Sequence, residues 1–552
     1  MTRRESLGHL LDRALAGDLP PPAPLGEYAD PWAETIAALG DVYAQRSELA
    51  AHRTAGLLLR GDLDDETRLL ARAVAAFATA GWPVLPSPDE PDHLALAADE
   101  YATADLSPDL RTFIAYLIVE SALACARLAE AAALAERFAG ESAGVAPFLV
   151  MDGRPHPYVD VMTICRIRLL AFTGRIDEAR ALTIAQADLQ TPSSALLRDA
   201  TDCLVLGNAA DRSGVRRLAA RLEAELPSPD DYLSSGCYLL VAFGLIAIGD
   251  VEDAARLTLI AGRGPELDSL NIIDRALGLE LLAAAATAAG DLDSAEAWRA
   301  LAEPMLESPI ANSTVARLIS RVELLAGRPE SAATWAETAV ADARAQGRGV
   351  EAAEGEIVLS RARIALAESG AATRGLEAMV AHSDDAGHAA ARVSAARELR
   401  AIGRRLRPAP GSEWAGLSER ERDVALMLAE GLTNREIASD LFVSEHTVRA
   451  HVSRVLAAFG TPSRTTVAVH LAERPGDDPL PELPELTAQQ QRVADLIAAG
   501  LANPAIATEL GVSVRTVEKH VGDVLRRWSL RSRVGIARAV VAARRGRETA
   551  AG

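Results

Sequence analysis

The sequence predicts an all-α protein, with an array of paired helices followed by two copies of a small helical module. Hydrophobic residues make up 49% of the 552 residues but aromatic residues only 4%, and the excess is Ala and Leu at helical spacing. A Gly–Ala spacing recurs every 35 to 41 residues in the middle of the chain. Finally, "LTNREIASDLFVSEHTVRAHV" from Leu432 returns as "LANPAIATELGVSVRTVEKHV" from Leu501.

Charge is distributed unevenly along the chain. The formal net charge is −20; residues 411–552 sum to about zero and residues 1–410 carry about −20. The chain after Gly511 is basic, with arginines at positions 526, 527, 531, 533, 538, 544 and 545. This asymmetry predicts different partners for the two parts of the chain.

The N-terminus and the cysteines predict a cytoplasmic protein without a metal or another cofactor. "MTRRESLGHLLDRAL" carries charges where a signal peptide needs an apolar run. The cysteines have no CxxC pair, so we expect small buried helix residues in a reducing compartment; they are Cys125, Cys165, Cys203 and Cys237. The apolar run from Tyr232 is long enough for a membrane span but lacks a basic flank, which favours a buried helix and no membrane partner.

The repeated Gly–Ala spacing predicts stacked helix–turn–helix units. The motifs are "GRIDEA" at Gly174, "GVRRLA" at Gly214, "GDVEDA" at Gly249, "GDLDSA" at Gly290 and "GRPESA" at Gly327, with a Gly-less "ARLAEAA" from Ala126. The Gly would supply a left-handed turn, and the Ala would let paired helices approach closely. The pattern resembles tetratricopeptide (TPR)-like repeats without most of their aromatic positions. The resemblance implies a solenoid whose concave face binds a peptide, a protein or a small ligand.

The breaks in these patterns predict the domain boundaries. We expect an N-terminal helical region of unclear register over 1–100, a TPR-like repeat domain over 101–405, a linker over 406–415, a first module over 416–473, an acidic Pro-rich linker over 474–485, a second module over 486–545 and a tail over 546–552.

In the first module the sequence predicts two short helices and then a third that presents polar residues. Thr433 and Glu436 form a capping box, and Ser444 caps the third helix. Its apolar residues Val448, Val452 and Val455 follow helical spacing and leave the opposite face to solvent; that face carries His446, Arg449, Ala450, Ser453 and Arg454. This geometry suits a helix laid in the major groove of DNA.

The first module resembles the LuxR-type (GerE-type) DNA-binding domain through "LSERERDV", "AEGLTNREIA" and "LFVSEHTVRAHV". The resemblance implies a four-helix module, a recognition helix over about 445–459, and a fourth helix from Thr465 that commonly mediates dimer contacts, which leaves a homodimer open.

The same resemblance implies that Arg449, Ala450 and Ser453 face the bases. Arg449 could contact guanine, worth about 1–3 kcal/mol of discrimination, while Thr447 and Arg454 would hold phosphates.

The second module keeps the apolar positions and changes the polar ones. Asn503 is predicted to cap the second helix in place of Thr433, with Pro504 in the first helical position, and Ser513 to cap the third. Its base-facing positions carry Glu518, Lys519 and Gly522. The remaining residues predicted to contact DNA are Arg515, Thr516 and Arg526. The two modules should therefore read different bases.

The linker "ERPGDDPLPELPE" is expected to be extended. About twelve residues at ~3.1 Å each would span about 37 Å, close to one DNA turn of ~34 Å. One chain could then place two modules on adjacent turns.

The near absence of lysine argues against several enzyme classes. Lys519 is the one lysine in the sequence, so no P-loop motif exists, and a receiver domain or protein kinase is disfavoured. "AARELRAIGRRL" and the helical array resemble the C-terminal part of large ATP-binding LuxR regulators and MalT-like activators, here without the ATPase. His156 and Asp160 in "RPHPYVD" are more consistent with a turn than with a catalytic site.

These observations predict a cytoplasmic transcription regulator that binds double-stranded DNA and is not an enzyme. Its repeat domain would sense an effector, and the sequence leaves open whether that is a small molecule or a protein. The alternative is an adaptor in which the helix-turn-helix modules serve oligomerisation.

Overall fold

A computed structural model describes most of the chain. The described residues are 3–80, 91–141, 150–151, 154–155, 158–185, 194–226, 228–406, 417–441, 443–459, 461, 463–472, 484–499, 501–528, 530, 532–537 and 539–540. They divide between two compact units, Met1–Leu406 and Arg407–Gly552. His156 and both predicted linkers, apart from the outermost residues of each, lie outside the described residues.

The first unit is a succession of helices, and the expected all-α, TPR-like arrangement is confirmed. Its helices are α1 Arg3–Leu15, α2 Pro31–Tyr43, α3 Ser47–Leu58, α4 Asp65–Thr79, α5 His93–Thr103, α6 Pro108–Ala124, α7 Leu128–Glu141, α8 Tyr158–Phe172, α9 Ile176–Ala185, α10 Ala195–Asn208, α11 Arg212–Glu225, α12 Tyr232–Ile248, α13 Val251–Ala261, α14 Ile272–Ala289, α15 Leu292–Ala302, α16 Asn312–Leu325, α17 Pro329–Ala345, α18 Gly349–Ala365, α19 Ser369–Asp385 and α20 Ala389–Ala401. Among the described residues, the only strands are β1 Val150–Met151 and β2 Arg154–Pro155, an antiparallel pair.

Helices α10 to α19 form consecutive antiparallel pairs. Each pair packs internally, and the first helix of one pair packs against the first helix of the next, as α12 does against α14 and α16 against α18. The helix predicted from the apolar run is α12, which is buried over most of its length. No helix among the described residues is long and apolar enough to cross a membrane.

A left-handed residue ends the first helix of each pair, whether or not it is glycine. The positive-φ residues that follow α2, α6, α8, α10, α12, α14, α16 and α18 are, in order, Gln45, Ala126, Gly174, Ala210, Gly249, Gly290, Gly327 and Ala367. The residue five positions later is completely buried in every case; these residues are Ala50, Ala131, Ala179, Val215, Ala254, Ala295, Ala332 and Ala372. The repeat therefore extends beyond the five glycine-marked copies.

One glycine in the predicted pattern does not form the turn. We expected Gly214 to hold the left-handed position, but that position belongs to Ala210. Gly214 lies inside the first turn of α11, where its amide donates to Asp211 Oδ1 at 3.0 Å. The prediction was wrong because Asp211 caps α11, which places the turn before the glycine.

The second unit contains two helical modules built on the same plan. The first comprises α21 Glu419–Ala429, α22 Asn434–Asp440, α23 Glu445–Ala458 and α24 Arg464–Ala472. The second comprises α25 Ala488–Ala498, α26 Asn503–Leu510, α27 Val514–Arg527 and a terminal helical segment at 533–537 and 539–540. Each module has its own hydrophobic core.

Candidate nucleic-acid interface

Two capping boxes set the positions of α21 and α22 in the first module. Thr433 Oγ1 accepts from the amide of Glu436 at 3.3 Å, and the Glu436 carboxylate accepts from the amide of Thr433 at 2.7 Å. Ser418 and Glu421 make the same reciprocal bonds before α21. Each box satisfies amides that a helix start would otherwise leave without partners. The start of each helix is therefore fixed by local bonds.

The third helix, α23, separates a buried face from an exposed one. Val448 and Val455 are fully buried, and Val452 is nearly so. Ser444 Oγ accepts from the amide of Thr447 at 3.1 Å and caps the helix. The residues predicted to contact DNA lie together on the opposite side, where Arg449, Ala450, Ser453 and Arg454 are exposed and Thr447 is half-buried.

A carboxylate lies beside this exposed face. Glu421 Oε1 is 3.3 Å from Arg454 Nη1. Hydrogen bonds from the Ser418 amide and hydroxyl, and then the charge of Arg454, hold the pKa of the Glu421 carboxyl below its usual range. The Glu421 carboxylate thus orients an arginine that the resemblance assigns to phosphate binding, a contact that the sequence analysis missed.

The second module repeats this scaffold with a different polar surface. Ser513 Oγ accepts from the amide of Thr516 at 3.1 Å and caps α27. Arg515, Glu518, Lys519 and Arg526 are exposed, and Thr516 and Gly522 are half-buried. A Cβ added at Gly522 would have no neighbour within 4 Å. The glycine therefore leaves open space on the face that the resemblance directs at DNA.

The position equivalent to Arg454 is acidic in the second module. It is occupied by Asp523, which pairs with Arg526, and Gln490 replaces Glu421. The exposed face of α27 is thus less basic at its centre than the exposed face of α23. Gln490 is a departure from the opening motif of the resembled family that the sequence itself shows, whereas the change from Arg454 to Asp523 lies outside the expected base-facing positions.

The prediction that Asn503 caps α26 was wrong. Ala502 is the N-cap residue and makes no side-chain cap bond, and Asn503 is the first residue of the helix. Asn503 Oδ1 instead accepts from Arg533 Nη1. The first module has the same bond between Asn434 and Arg464. This asparagine therefore ties the second helix to the fourth in both modules, and its side chain is not free to cap.

The two modules also pack against each other, through residues of their fourth helices. Val534, in the terminal helical segment, joins the hydrophobic core of the first module. Val469, in α24, packs against the core of the second module. Gly431 has a φ of +85°, which strains any L side chain, and a Cβ there would lie only 2.0 Å from Ser532 Oγ, so a larger residue would force Ser532 to move. No sequence signal identified this contact.

This part of the chain belongs to the class of helix-turn-helix proteins, because it contains two such modules, each with a third helix that has one exposed face. Residues 415–471 and 484–540 each match the family described as "Bacterial regulatory proteins, luxR family". The spore germination protein GerE of Bacillus subtilis is 44% identical over 55 residues, which are 10% of this chain and 74% of that protein. The chain belongs to the LuxR family of regulatory proteins through these segments.

Other similarities cover smaller shares of the proteins matched. The DNA-binding transcriptional activator DevR/DosR of Mycobacterium tuberculosis is 44% identical over 70 residues, which are 12% of this chain and 32% of the activator. The chain spans 8% of the length of the first mycobacterial regulators it matches. A chain of the APC/C hetero-tetramer Cut9–Hcn1 aligns with 72% of this chain and 91% of its own, at 12% identity and a TM-score of 0.23.

Proposed function

We propose that the protein is a sequence-specific DNA-binding transcriptional regulator whose two modules read unlike half-sites in the major groove. The proposal rests on the two third helices, α23 and α27. Both are capped by a serine and bury equivalent valines, but their exposed faces carry different side chains. Arg449 suits the acceptor pair of guanine, whereas Glu518 suits the amino group of cytosine.

The packing between modules supports an arrangement within one chain. Val469 and Val534 belong to the fourth helices, through which members of the resembled family commonly dimerise. In this chain each contacts the other module. One chain would then supply the two readers that a homodimer supplies elsewhere.

We further propose that the repeat unit senses an effector and controls the modules. Its acidic charge, set against the arginines of the second unit, supports restraint of DNA binding in the absence of the effector. Removing residues 1–405 should then raise DNA affinity. Unchanged affinity would contradict the restraint.

Selection of bound sequences from random duplex DNA tests whether the two modules bind DNA sequence-specifically. Full-length protein and residues 412–552 should both enrich a site with two unlike half-sites about 10 bp apart. A single half-site would show that the second module does not read DNA. No enrichment from either would favour the adaptor, in which Arg449→Ala and Lys519→Ala leave function intact.

A further inference from the structure

The repeat unit closes on itself around an interior space that is partly open to solvent. The amides of Ile176 and Asp177 donate to Ala386 O at 2.9 and 3.1 Å. A Cβ at Gly349 would lie 2.1 Å from Thr173 O, so glycine is required where these backbones meet. The end of α8 thus contacts the start of α18, and the start of α9 contacts the turn between α19 and α20, far along the chain. The helices between these contacts surround a cavity.

The cavity has two adjoining chambers, of about 670 and 270 Å³. Leu123, Ile273 and Asp274 are among the residues that line both. Aromatic residues are only 4% of the chain, yet four line the larger chamber, namely Phe77, Phe172, Tyr232 and Phe243. A chamber of this size with an aromatic wall suits a drug-sized organic molecule.

The polar groups of the larger chamber leave one carboxylate without a cation. Glu120 accepts from Arg168 and, at 2.9 Å, from Tyr232 OH, so its charge is matched. Asp274 accepts a hydrogen bond from Asn271 Nδ2 at 2.7 Å and forms no ion pair with any described side chain. Asp274 is half-buried, and a carboxylate shielded from water without a cationic partner is costly.

The remaining charged groups around this chamber do not neutralise Asp274. Arg46 pairs with Asp41 at 2.7 Å, and Asp268 pairs with Arg275 at 2.9 Å. Glu48 is exposed at the chamber's edge. In the smaller chamber, which Asp274 also lines, Arg317, Arg321, Arg348 and Arg361 pair with glutamates and Arg397 is exposed. The lining of the larger chamber therefore carries a net negative charge together with aromatic side chains, which attract cations.

A glycine inside a helix keeps the chamber open. Gly236 lies within α12, where alanine would favour the helix by about 0.5–1 kcal/mol. It lines the chamber, and a Cβ added there would have no neighbour within 4 Å. No backbone contact requires glycine at this position, so its effect is to preserve free volume.

We propose that this chamber binds a hydrophobic organic cation, with a protonated amine at Asp274 and its apolar body among Phe77, Phe172 and Phe243. The inference rests on the proposed sensing role of the repeat unit and names the chemical class of the effector. Burial raises the pKa of Asp274 to about 6; the hydrogen bond from Asn271 and the charge of Arg168 oppose the rise, and Glu120 adds to it. Amine binding should therefore weaken as the pH falls below 6.

Three compounds that share one apolar body test the proposal by calorimetry on the full-length protein at pH 8. They are 4,4-diphenylbutylamine, 4,4-diphenylbutanol and 4,4-diphenylbutanoate. We expect the amine to bind at least about tenfold more tightly than the alcohol, with the carboxylate weakest, because only the amine supplies the missing charge. Equal affinities, tighter binding of the carboxylate, or no binding of the amine would overturn the proposal.

Three variants locate the site. Asp274→Asn should remove the preference for the amine over the alcohol. Its matched control is Asp268→Asn, which lines the same chamber but is ion-paired and should leave amine affinity within twofold. Gly236→Leu should block all three compounds by filling the chamber while helicity is retained. Amine binding that survives both Asp274→Asn and Gly236→Leu would place the site elsewhere and overturn the proposal.

A DNA measurement separates this proposal from the proposed function. If the amine binds at Asp274 but does not change DNA affinity, the chamber is a binding site and the sensing role fails. If no compound binds while DNA selection yields a motif, the ligand class fails and the DNA-binding function stands.

Discussion

The two helix-turn-helix modules share a core but not a surface. Ile437 and Ile506 occupy equivalent positions and are both fully buried, as are Val448 and Val517. On the exposed faces, Arg449 corresponds to Glu518. Packing tolerates little change in buried volume, whereas exposed positions on a helix are free to vary. The comparison shows that one scaffold can support two chemically different faces.

The largest expected effect tests whether the two cores are energetically equivalent. Ile437→Ala and Ile506→Ala should each lower the free energy of unfolding of their module by about 2–5 kcal/mol, because each leaves a cavity. Denaturant unfolding of residues 412–552 measures this, and Leu426→Ala, at an exposed position, is the control. If either change alone destabilises both modules together, the packing through Val469 and Val534 makes them one cooperative unit.

A smaller effect tests whether the two faces contribute unequally to DNA binding. Arg449→Ala should weaken binding to the selected site by about 1–3 kcal/mol through loss of a bidentate base contact. Lys519→Ala should cost less and act mainly through salt dependence. Fluorescence anisotropy with the selected duplex provides the measurement, with the exposed Arg492→Ala as control. An equal loss from Arg492→Ala would mean that only total charge matters.

The capping difference predicts changes of opposite sign in the two modules. Thr433→Ala should destabilise the first by about 1 kcal/mol, since it removes a capping box. Ala502→Thr should stabilise the second by up to about 1 kcal/mol, because Ala502 makes no cap bond. Thermal unfolding of residues 412–552 tests both changes. A loss of stability in Ala502→Thr would indicate that the bond between Asn503 and Arg533 depends on alanine at that position.

The smallest expected effect is a difference in acid sensitivity. The pKa of Glu421 is lowered in the folded state, so its contribution to stability is present above the unfolded value of about 4.3 and is lost as the pH falls through the folded value. Gln490 takes its place in the second module and does not titrate. The first module should therefore lose more stability between about pH 5 and pH 3. Glu421→Gln should reduce that difference, and an unchanged pH profile would assign it to other groups.

Much of the fold was predictable because its signals are local. The period of the array and the cap residues Thr433, Ser444 and Ser513 act through neighbouring backbone amides. The cap of α22 was predicted correctly from the sequence, whereas the cap of α26 was not. A threonine cap needs only its own helix, whereas the role of Asn503 depends on Arg533, 30 residues away.

By itself, the sequence determined the helical class, the repeat period and the duplicated modules, because hydrophobic periodicity and helix caps are properties of adjacent residues. Only the tertiary structure decided which residues take left-handed turns. Ala126, Ala210 and Ala367 adopt positive φ, and in each case the residue five positions later is completely buried. The contact of Val534 with the first module and the chamber around Asp274 likewise depend on residues that are close in space and distant in sequence.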